Sequence, residues 1–178
     1  METIIIEKKN LITQIYNLCK TLYLIIIMIY QIKRTLLIKS DIKTIWDFAS
    51  NPQNLKKITP DYMNFKITSP ELNSQIYEGM IIEYTVSPMM KIPLTWVTEI
   101  THIHEHKSFI DEQRFGPYRM WHHEHIFKHE KKGVVMEDIV TYVPPFGIIG
   151  KFANSIYLKK KLHQIFDYRE MKMNQIFN

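Results

Sequence analysis

Apolar and polar positions follow two different rhythms along this chain. Ile29 to Ile38 (IYQIKRTLLI) is rich in β-branched residues and predicts a first strand. Ser40 and Asp41 then offer N-cap oxygens, and Ile42, Ile45, Trp46 and Ala49 recur at helical spacing, which predicts a short amphipathic helix to about Ser50. Asn51-Pro52 restarts the pattern with a capping side chain and a proline in the first helical position. Gln53 to Ile58 therefore predict a second short helix, ended by Thr59-Pro60.

From residue 63 to 143 the period falls to two. Strands are predicted at Asn64 to Ser69, Met80 to Val86, Leu94 to His104, Ser108 to Arg114, Arg119 to Lys128 and Val134 to Val143, separated by short turn-rich stretches that favour antiparallel neighbours. Pro144-Pro145, Gly147 and Gly150 break the alternation. Lys151 to about Phe177 then predicts one long helix with Phe152, Ile156, Leu162, Ile165, Phe166, Met173 and Ile176 as its apolar positions. The order is strand, two helices, six strands, long helix. It predicts an α+β domain whose curved antiparallel sheet buries its inner face against the last helix, with a cavity where the layers diverge.

The first 28 residues stand apart. Thr21 to Tyr30 is the most apolar run of the chain, but Lys20 and Lys33 bound it well short of the roughly 20 residues needed to cross a bilayer. No small-residue cleavage site follows, so secretion is not expected. Residues 1–28 are read either as upstream sequence ahead of a domain starting at Met28 or as an extra helix; the domain itself is placed at 29–178.

Composition narrows the class. With 178 residues, 46% apolar, the chain suits one domain with a substantial core. A single cysteine, Cys19, permits no intramolecular disulfide and points to a reducing cytoplasm. Most of the +5 formal charge sits in the terminal segment, where Lys159, Lys160 and Lys161 are consecutive. One basic helix on a neutral body is a solvated face rather than a nucleic-acid footprint, so no nucleic-acid partner is expected.

Strand alternation collects the residues that can carry chemistry. One face of the 119–128 strand holds Arg119, Trp121, His123, His125 and Phe127; Phe109, Asp111 and Gln113 share a face of the strand before it, and Met136, Asp138, Val140 and Tyr142 of the strand after it. Facing inward, Asp111, Gln113, His123, His125, Asp138 and Tyr142 form a polar cluster in an apolar pocket, which requires mutual hydrogen bonds, water or a ligand. The competing reading is structural, with each aspartate accepting from a group on the adjacent strand and fixing the register. A carboxylate holding His123 or His125 also suits a general base. His123 and His125, with Asp111 or Asp138, can supply metal ligands, but paired cysteines and an HExxH helix are missing and no metal is expected. His102, His104 and His106 share a face near a hairpin tip and are expected in solvent. No covalent nucleophile motif or phosphate-cradling glycine loop is present, so no cofactor is expected.

WDFASNPQNLKKITP at 46–60, IPLTW at 92–96, FIDEQRFGPYRMWHHEHIF at 109–127 and MEDIVTYVPPFG at 136–147 together resemble the ligand-binding SRPBCC family, the START-like or Bet v 1-like superfamily with its polyketide cyclase/dehydrase-like and coenzyme Q-binding relatives. The resemblance covers about residues 29–178, and its motifs are similar to those of one bacterial branch. It implies a helix-grip fold, a seven-stranded antiparallel sheet wrapped around the C-terminal helix over a deep cavity for a hydrophobic molecule. It also implies that Trp96, Asp111, Gln113, Trp121, His123, His125, Phe127, Asp138 and Tyr142 line or support that cavity.

The function expected from sequence is therefore binding of a small hydrophobic molecule, such as a lipid, a quinone or a polyketide-like compound, by a cytoplasmic protein. The first alternative is a cyclase- or dehydratase-like enzyme in which His123 or His125 moves a proton and Tyr142 or Arg119 steadies an enolate. The second is a membrane-peripheral carrier using Lys159 to Lys161 and the Leu22 to Ile29 run.

Overall fold

The computed structural model describes residues 12–18, 29–70, 75–88, 92–145 and 154–178. Strand β1 (Tyr30–Ile38) leads into helix α1 (Ile42–Ala49), whose N-cap Asp41 accepts from the Thr44 N–H. A 3₁₀ helix follows at Pro52–Ile58, capped by the Asn51 side chain with proline in its first turn. Strands β2 (Lys66–Ile67), β3 (Ile81–Val86), β4 (Leu94–His104), β5 (Ser108–Phe115), β6 (Met120–Glu130) and β7 (Gly133–Val143) come next, and α2 (Lys159–Phe177) ends the chain.

All seven strands form one antiparallel sheet in the order β1-β7-β6-β5-β4-β3-β2. Register shifts between β4 and β5, at Val97/Thr98 and Ile100/His102, add local bend and twist to the middle of the sheet. The curled face receives α2 along the stripe Leu162, Phe166 and Met173, all buried. Arg34 on β1 pairs with Asp167 on α2 at 2.8 Å, and Phe48 meets Phe177 edge-on at 5.1 Å, so the helix is tied to both β1 and α1. Trp46 of α1 packs edge-on against Phe109 and Phe127 in a buried cluster, and Phe109 in turn lines the hollow between sheet and helix.

Three sequence expectations are corrected. The strand expected at 64–69 pairs only at Lys66–Ile67, because Asn64 takes a left-handed conformation (φ 46°) that breaks its start. The last helix is α-helical only from Lys159, after a π-helical turn at Asn154–Leu158; Gly147, Gly150, Lys151 and Phe152 lie outside the described residues. Ile156 and Ile176, expected in the apolar stripe, are 64% and 44% exposed. They sit in the π-helical turn and in the last turn of the helix, out of phase with the stripe.

Residues 12–18 are helical. Cys19, Lys20, Met28 and nearly all of the 21–30 apolar run lie outside the described residues. Among those described, no helix is long and apolar enough to cross a membrane.

Candidate functional site

Three adjacent strands bring the polar cluster together by register alone. Asp111 of β5 lies opposite His123 of β6, and His125 lies opposite Asp138 of β7. All four side chains rise from the concave face, where alternation places every second residue.

Their ring nitrogens cross-link the two carboxylates. His123 donates from Nε2 to Asp138 Oδ1 at 3.0 Å, and its Nδ1 stands 3.3 Å from Asp111 Oδ2. His125 donates from Nε2 to Asp111 Oδ2 at 2.9 Å; its Nδ1 lies 2.8 Å from Asp138 Oδ1 but off the direction a hydrogen bond needs. The imidazoles lean on each other with centroids 3.8 Å apart, and Phe109 stacks on the outer face of His125 at 4.1 Å. Arg169 of α2 lies over the Phe166 ring with its Nη1 3.8 Å from Asp138 Oδ1.

Burial by itself would push both carboxyl groups up. The attraction of the imidazoles and their hydrogen bonds outweigh it, so Asp111 falls below the usual carboxylate range and Asp138 well below it. Burial pulls His123 down, but the two carboxylates reverse this and leave its pKa raised. Tyr84, hydrogen-bonded to Thr98 at 3.1 Å, is pushed far up by burial and by the Asp111 charge and stays neutral.

Beside this cluster the sheet and α2 enclose a cavity of about 490 Å³. This is within the usual range for small-molecule sites. Trp96, Trp121, Tyr118 and Tyr84 form one wall; Leu55 and Ile58 of the 3₁₀ helix form another; Leu162, Ile165, Phe166 and Arg169 come from α2. Asp111, His123 and His125 form a polar patch on its sheet side, and Asn51, Asn54, Thr59, Thr98 and Lys161 are further polar lining residues. Trp96 Nε1 and Arg169 Nε are buried in this lining without a hydrogen-bond partner among the described residues.

The residues expected from sequence separate into groups. Trp96, Asp111, Trp121, His123 and His125 line the cavity. Asp138 sits behind the imidazoles, facing a second gap of about 20 Å³, large enough for one water, beside Arg34 and Arg169. Phe127 belongs to the Trp46 core, and Tyr142 is buried beneath Trp121 and Tyr118.

Gln113 does not line the hollow: its side chain bonds both the Tyr118 carbonyl at 2.6 Å and the Tyr118 N–H at 3.2 Å, stapling the β5–β6 turn. Arg119 precedes β6, so strand alternation does not govern it, and it is exposed. His102 and His104 are exposed as expected, whereas His106 is half-buried against Trp46. Arg169, Tyr84 and Tyr118 were not anticipated. For Arg169 a signal existed, since Leu162, Ile165, Phe166 and Arg169 follow one another at helical spacing on the buried stripe.

No family model matches the chain, and no curated protein matches it. Solved structures do. The ginseng major latex-like protein 151 from Panax ginseng superposes with a TM-score of 0.62 at 13% identity, covering 85% of this chain and 99% of the other. Ara h 8.0201 gives 0.54 at 11% identity, covering 82% and 98%. Protein Ms6760 from Mycobacterium smegmatis gives 0.60 at 13% identity, covering 82% and 89%. The sheet order, the short helices after β1 and the long terminal helix are common to this architecture, and the chain has the Bet v 1/SRPBCC-like helix-grip fold.

Proposed function

We propose that the protein binds a small, mostly apolar molecule between the sheet and α2, with one oxygen-bearing group of that molecule held at the Asp111–His123–His125 patch. The observation that carries this reading is the 490 Å³ hollow with mostly aromatic and aliphatic walls, in which Asp111, His123 and His125 touch one another on the sheet side. Trp96 Nε1 and Arg169 Nε support it further: both are donors without partners among the described residues, and a buried donor is stabilised by an acceptor on the guest. An extended lipid tail, a quinone ring or a fused polyketide-like ring system all meet these requirements.

The test is mild organic extraction of the purified protein followed by mass spectrometry, alongside titration with an environment-sensitive apolar dye. A recovered lipid-like or aromatic compound, or dye saturation at one equivalent that Ile165→Trp abolishes by filling the hollow, supports binding. An empty extract together with no saturable dye binding by the folded protein overturns it.

Acid–base catalysis is a second reading, favoured by the two imidazoles lining the cavity, each oriented by a carboxylate. Neither Tyr142 nor Arg119 lines the cavity, so in that case Arg169 or Trp96 would steady a developing oxyanion. A His125→Gln variant that keeps ligand affinity and loses turnover would identify an enzyme.

A further inference from the structure

We propose that Asp111, His123 and His125 form a binding site for one first-row divalent transition-metal ion, with open coordination positions directed into the cavity. Asp111 Oδ2 is 3.3 Å from His123 Nδ1 and 2.9 Å from His125 Nε2, and the three ligand atoms all lie within 4.8 Å of one another. Ligands about 2.0–2.2 Å from a tetrahedral ion stand about 3.3 Å apart, so a small opening of this triangle admits the ion.

The outer nitrogens matter as much as the inner ones. His123 Nε2 donates to Asp138 Oδ1 and His125 Nδ1 lies 2.8 Å from the same oxygen. An imidazole that binds a metal through one nitrogen normally holds a carboxylate with the other, which sets its tautomer and strengthens it as a ligand. Here one carboxylate, Asp111, faces both inner nitrogens, while the other, Asp138, faces both outer ones.

The cluster carries two buried carboxylates and one neighbouring cation, Arg169 beside Asp138. With both imidazoles neutral it is left net negative, which favours a bound cation over an anion. Two nitrogens and one carboxylate oxygen suit zinc, iron or cobalt better than magnesium or calcium. Asp111, His123 and His125 all line the large cavity, which provides both an entry path and room for water or a guest oxygen on the ion. The proposal does not depend on an apolar guest, and dye binding by chelator-treated protein measures that separately.

The experiment uses the full chain, freed of metal by dialysis against a chelator and titrated with cobalt(II), then zinc(II). The expected result is saturation at one equivalent with visible d–d absorption bands. Asp138→Asn should weaken binding about 10- to 100-fold, and Asp111→Asn by more, while His102→Ala/His104→Ala leaves it unchanged. Zinc-edge anomalous diffraction from the unmutated protein should place the ion between Asp111 and the two imidazoles, which decides the matter even where a variant fails to fold. No saturable binding up to millimolar metal, or an anomalous peak at the exposed histidines instead, overturns the proposal.

Discussion

His123 donates from Nε2 to Asp138 Oδ1 across 3.0 Å, and both residues are nearly sealed from solvent, at 4% and 6% exposed. Breaking such a pair leaves an uncompensated buried charge, at a cost of about 3–5 kcal/mol. Asp138→Ala should lower the urea midpoint by a corresponding amount. The double change His123→Leu/Asp138→Leu should cost clearly less than the sum of the single changes, because it removes both members of the pair together. Strict additivity in that cycle would mean the two groups do not interact.

The same pairing makes the stability of chelator-treated protein depend on pH. His123 has a raised folded pKa, so its contribution is full below its ordinary value of 6.5 and is lost as pH rises through the folded value. Asp111 and Asp138 have lowered pKa values, so theirs is full above 3.8 and is lost as pH falls through the depressed values. The cluster therefore stabilises most between these limits. The difference in melting temperature between the native chain and His123→Gln should be larger at pH 5.5 than at pH 8.5; a gap that widens toward alkaline pH would contradict the assignment.

Trp96 separates shape from hydrogen bonding. Its ring packs edge-on against Trp121 at 5.2 Å and stacks on Tyr84 at 5.9 Å, while its buried N–H has no protein acceptor. Trp96→Phe retains much of the apolar wall and removes the donor. Affinity for an aromatic ketone should fall by about 1 kcal/mol, roughly fivefold, relative to the parent hydrocarbon. Equal losses for both probes in calorimetric titration would show that the indole acts by packing alone.

Trp46 tests how the core behind Phe109 supports the site. It is buried among Phe109, Phe127 and His106. Trp46→Ala should cost about 3–5 kcal/mol on chemical denaturation. Because Phe109 stacks on His125, the change should also alter the imidazole resonances of His125 in NMR spectra. Unperturbed resonances in a folded variant would uncouple the core from the site.

Gly133 opens β7 with φ 140°, and a Cβ there would collide with the Ile38 carbonyl. Gly133→Ala should destabilise the β6–β7 hairpin and its pairing with β1 by about 1–3 kcal/mol. Faster amide exchange at Val134 and Val135 would be the local sign, and wild-type exchange rates in the variant would refute it.

By itself the sequence determined the elements and their faces. Period-two alternation put Trp121, His123, His125 and Phe127 on one side of β6, and capping residues and prolines marked the short helices, because these are properties of neighbouring residues on one backbone. Arg119 and Ile156 escaped that logic where a turn and a π-helical turn interrupted the period. Cross-strand and interlayer relations belonged to the tertiary structure. Strand register set which carboxylate faces the inner nitrogens of the imidazoles and which the outer, and the docking of α2 added Arg169 from a segment far away in the chain. Alternation specifies the side of a strand but not the partner opposite, and a cavity exists only where two separately folded layers fail to meet.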